Sequence, residues 1–188
     1  MEIAEFFTTI KTPLTVLHVL SVVFGMGSAL VSDLLFTFYS KDKKMSETEL
    51  KTLRLLSNVV WIALIVITLS GLGIFFSNIP KYIASTKFLV KMSIMAVLLV
   101  NGHVLHKFVW KHVIARQFLT SSKESFMRKV AFVCGAISVL SWIVVCILGV
   151  LKSIPLSYVQ AVVSYLGIVI FGIGGALVIE RIEFERKK

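Results

Sequence analysis

Long apolar runs separated by short polar breaks make up the chain. Five such runs, over 13–39, 55–77, 87–110, 129–151 and 158–179, are dominated by Leu, Ile, Val, Phe, Met and Ala. Each has about 20 residues or more, enough to cross a hydrocarbon core of ~30 Å as a helix. The breaks carry start and stop signals. Pro80 in "SNIPKYIAST" and Pro155 in "KSIPLS" mark helix ends, because proline cannot continue the hydrogen-bond ladder. Ser46 followed by Glu49 has capping-box spacing, which predicts that the second helix starts in water near Glu47 and enters lipid near Leu55. No connection is long enough for a soluble domain, and short links imply antiparallel neighbours. The expected fold class is therefore all-α: one domain over 1–188, an integral membrane bundle of five transmembrane helices. "EFFTTIKT" within residues 1–12 reads as an amphipathic lead-in at the surface, and "ERIEFERKK" as a helical extension with alternating charge.

Composition agrees with this pattern. The chain is 57% hydrophobic and 16% charged, with a mean hydropathy of +0.91, against roughly 45–50% apolar and ~25% charged in soluble domains. A net charge of +10 raises nucleic acid as a partner, but the distribution of the basic residues favours lipid headgroups instead. With the N-terminus outside, 15 Lys and Arg residues fall on the cytoplasmic side and 5 (Lys11, Lys81, Lys87, Lys91, Lys152) on the other. That bias follows the positive-inside rule and predicts N-out, C-in, in a multi-pass protein of the bacterial cell membrane. Glu2 and Glu5 make the first segment acidic, so the first run is expected to be a retained helix, since a signal peptide begins with a basic region. Cys134 and Cys146 lie about 18 Å apart along one helix, too far to bridge, and read as small packing residues.

Ionisable groups within the runs are costly in lipid and normally face a bundle interior. They are His18, Asp33, Lys91, His103 and His106. Rise per residue places His18 and Lys91 about 6–7 Å below the outer face, and Asp33, His103 and His106 about 24–30 Å below it, giving an outer and an inner layer. On the first helix His18, Gly25, Ala29 and Asp33 share an arc of about 80°; on the third, Lys91, Met95, Gly102 and His106 fall within about 60°, with His103 about 60° beyond. Each has a plainer structural role open to it. Lys91 can snorkel to the headgroups, His106 and Asp33 can belong to the inner rim, and His18 and His103 can be structural hydrogen-bonding groups. Gly25 with Ala29, and Gly167, Gly172, Gly174 and Gly175, are the small residues that bring membrane helices close. Gly25 and Ala29 beside His18 could also leave a slot for a flat macrocycle.

"VLHVLSVVFGMGSALVSDLLFTFYS" together with "FLVKMSIMAVLLVNGHVLHKF" resembles the first and third helices of the HemJ and CopD-like group of small bacterial membrane proteins, over roughly half the chain. In that pattern a His opens the first helix ahead of a Gly-containing turn, and a later helix carries a Lys followed by a His. The resemblance implies b-type haem in a redox role of the protoporphyrinogen oxidase kind. His18 would be the axial metal ligand, Gly25 would border the cofactor, Lys91 would act in catalysis and cofactor binding, and His103 would support the site. Asp33 reverses the charge of an arginine usual in that group, and the fifth helix is additional. Independently of the resemblance, His18 and His103 differ in depth by about 17 Å and so should not share one iron.

Three classes of function stay open on the sequence: a haem-binding redox protein, a small transporter or proton relay using the intramembrane polar residues, and a non-catalytic assembly subunit or homo-oligomer joined through the glycine-rich fifth helix. No phosphate loop, CxxC or Ser-His-Asp spacing points to a soluble enzyme. The scattered methionines give no copper-binding set.

Overall fold

The computed structural model describes residues 3–39, 45–109 and 122–185. Trp110 at the end of the third run, the polar loop after it and the last three residues of the tail lie outside the described residues. Regular structure among the described residues is helical: α1 Ile3–Thr9, α2 Lys11–Tyr39, α3 Glu47–Phe76, α4 Ile79–Ile83, α5 Thr86–Val104, a π-helical turn Leu105–Val109, α6 Ser122–Val150 and α7 Tyr158–Glu185. Five of these segments, α2, α3, α5 with the start of its π-turn, α6 and α7, are long and apolar enough to cross a membrane.

Local chemistry explains several boundaries. α3 starts at Glu47 because Ser46 and Glu49 form the reciprocal box: Glu49 N donates to Ser46 Oγ at 3.3 Å, and Ser46 N donates to Glu49 Oε2 at 2.6 Å. Pro80 does not simply interrupt the chain; it sits in the first turn of α4, where its missing N–H costs nothing, behind an Asn78 cap. At the C-terminal end of α6 the Lys87 ammonium donates to Leu151 O at 2.6 Å, placing a cation on otherwise unsatisfied carbonyls.

α2 packs most extensively on α3, while α6 is central, touching α2, α5 and α7. Two apolar clusters follow from this arrangement. Ala29, Ala63, Leu64, Ile67, Leu98 and Trp142 join α2, α3, α5 and α6. Val90, Ile94, Leu148, Ala161, Tyr165 and Val169 join α5, α6 and α7. Gly25 permits the closest approach in the first cluster. A Cβ added there would lie 2.7 Å from Trp142 Cη2 and 3.0 Å from Ala63 Cβ. The space beside Gly25, which could have been a macrocycle slot, is filled by the indole of Trp142. Cys134 and Cys146 are both free thiols.

Candidate functional site

Cross-helix contacts set the polar residues at defined levels. Nearest the α1 side, His18 Nδ1 lies 3.0 Å from Ser70 Oγ, and its ring rests on α3 at Gly71. Ser70 Oγ lies 2.6 Å from the carbonyl of Val66, one turn back. With the serine proton directed at that carbonyl, Ser70 Oγ is placed to accept from an Nδ1–H of His18. Lys91 reaches the other way, its Nζ 3.9 Å from a Cβ built on Gly149 of α6. The two groups expected in the outer layer are thus seated on different helices, His18 on α3 and Lys91 towards α6.

One level deeper lies the first apolar cluster, with Trp142 only 1% exposed. Against it lies a mainly apolar chamber of about 70 Å³ into whose wall Ser32, Asp33, Ser57, Asn101 and Ser138 bring polar groups beside Leu64, Leu98 and Trp142, with room for a few water molecules. Every long helix except α7 contributes to it. Asp33 sits against Gly135, whose added Cβ would be 3.1 Å from Oδ1, so glycine is what lets the carboxyl fit between α2 and α6. Asn101, 8% exposed, donates from Nδ2 to Cys134 O at 2.9 Å and ties α5 to α6 at the same level.

Among the described residues two buried side-chain atoms of residues bordering this chamber have no hydrogen-bond partner, Asp33 Oδ2 and Trp142 Nε1. One is an acceptor and the other a donor, and a buried polar atom left unpaired costs ~1–3 kcal/mol or more. Among the described residues no salt bridge to Asp33 is seen; several cations of the basic rim that its position suggested as partners, Lys41, Lys43, Lys44, Lys111 and Arg116, lie outside the described residues. An ionised carboxyl there must have its charge met by something these residues do not supply, either a proton or a cation.

The remaining sequence candidates lie apart. The buried stripe of α5 is Val90, Ile94, Leu98 and Asn101, and His103 falls about 180° from its centre at ~100° per residue. His103 and His106 are exposed instead of turned into the bundle. Asn101, Ser57, Ser138 and Trp142 escaped a search for ionisable residues because none of them carries a charge. The signal available was Asn101 continuing an i, i+4 apolar stripe, since a polar residue on a buried face needs a partner. Among the described residues no group of three His, Cys, Asp or Glu side chains could hold a metal ion.

Comparison with known proteins gives no match: no family model fits the chain, and neither a curated protein nor a solved structure is similar to it.

Proposed function

We propose that the protein is a multi-pass membrane protein that moves protons through the bundle, with the Asp33 carboxyl as the group that takes up and releases them. The observation that carries this reading is the unpaired Asp33 Oδ2 and Trp142 Nε1 bordering one chamber. Water in that chamber could satisfy both atoms at once. The hydroxyls of Ser32, Ser57 and Ser138 each donate and accept, so they can extend a proton path to the carboxyl. The apolar cluster around Trp142 separates the chamber from the His18 layer. Asp33 then exchanges with one side at a time, and passage between layers requires Trp142 to move off Gly25. In the N-out orientation the chamber lies toward the cytoplasm, and His18 with Lys91 forms the outer station.

A lipid-soluble carbodiimide, which reacts with protonated carboxyls in apolar surroundings, tests this assignment. Mapping the adduct should find Asp33 modified in the wild type and no intramembrane adduct in Asp33→Asn. An unmodified Asp33 beside labelled surface carboxyls would overturn it.

A second reading, haem b on His18, is favoured by one feature: the Ser70 contact fixes Nδ1 and leaves Nε2 free, the arrangement that orients a ligating imidazole. His18 would be the single imidazole ligand, with Lys91 in the same layer; haem bound there would supply electron transfer. Reconstitution with haem should give a Soret band that His18→Ala removes, and no band in the wild type would reject this reading.

A further inference from the structure

α5 and α6 part on their outward side to leave an open groove of about 670 Å³. Its walls are apolar, with Val97, Val100 and Val104 on one helix facing Val130 and Val133 on the other. It extends roughly 12–16 Å along the helices. Among the described residues one charged side chain borders it, that of Lys129, which is exposed and sits at the end where α6 enters its membrane span. An apolar channel of acyl-chain shape ending in one cation is complementary to an amphiphile with a single anionic head. Asn101 and Cys134, joined by a hydrogen bond of 2.9 Å, also line this groove, and Asn101 lines the chamber as well.

We infer that this groove is the seat of an anionic glycerophospholipid of the surrounding bilayer, one acyl chain lying between the α5 and α6 valines and the phosphate on the Lys129 ammonium. A zwitterionic lipid would fill the same groove with its chain but would gain less at Lys129, so selectivity rests on the headgroup and occupancy on the walls. The inference does not depend on proton transfer at Asp33.

The test uses the full chain in mild detergent, with phosphatidylglycerol and phosphatidylcholine of identical chains added in equal amounts and bound lipid counted by native mass spectrometry. The wild type should retain one phosphatidylglycerol with about fivefold preference, as one lysine at a membrane surface provides. Lys129→Gln should bring the two lipids to near parity, and Lys129→Arg should restore the preference. Val100→Trp, at a position already exposed, should reduce retention of both lipids. Equal retention by the wild type, a preference unchanged in Lys129→Gln, or undiminished retention in Val100→Trp would each overturn the inference.

Discussion

At the residue scale, Asp33 and Gly25 place opposite demands on the same helix. Among the described residues Asp33 Oδ2 has no hydrogen-bond partner, so Asp33→Asn should leave thermal unfolding in detergent unchanged or slightly raised while removing the charge that the chamber must accommodate. Gly25 is sterically committed. Gly25→Leu drives a side chain into the ring of Trp142 and should destabilise the bundle by about 1–3 kcal/mol, read from the same unfolding experiment. The sequence already pointed to Asp33, because a carboxylate in an apolar run stands out. It gave no sign that Asp33 Oδ2 lacked a partner among the described residues, since that depends on Gly135 and Trp142 arriving from a helix about 100 residues away. Asn101 was harder still, because an amide carries no charge and its role depends on the Cys134 carbonyl across the interface.

At the element scale, helix starts were read best where the signal is local. The Ser46 box needs only four consecutive residues, and it marks the first turn of α3 as expected. Ser46→Ala should cost about 1 kcal/mol, measured as fraying of that turn by amide hydrogen exchange. Helix faces were read unevenly. On α2 the polar and small residues do mark the inward side, with Ser21, Gly25 and Ala29 buried. On α5 the histidines misled, because the interior stripe is apolar apart from Asn101. The union of α6 and α7 is set by long-range pairs that no periodicity reveals. Arg128 meets Glu180 at 2.7 Å with the glutamate 3% exposed, and Ser141 Oγ lies 2.8 Å from Tyr165 Oη. Glu180→Gln removes the charge from the Glu180 side of this buried ion pair and should cost on the order of 3 kcal/mol; a double-mutant cycle with Arg128→Met should recover much of it.

At the scale of the whole molecule, the arrangement is two polar levels on α2, His18 above and Asp33 below, separated by the cluster around Trp142. Each level recruits a different partner helix, His18 resting on Gly71 of α3 and Asp33 on Gly135 of α6. On the proposed reading, a carboxyl beside an apolar cluster suits stepwise proton passage better than an open pore, because continuous water would short-circuit a gradient. The most direct measurement is proton flux into liposomes containing the purified protein, driven by a potassium diffusion potential and followed with an entrapped pH dye. The wild type should acidify the lumen at least tenfold faster than Asp33→Asn, with His18→Ala intermediate, equivalent to a barrier difference of about 1.4 kcal/mol or more. Flux in the wild type equal to that of Asp33→Asn, or equal to that of empty vesicles, would contradict the account.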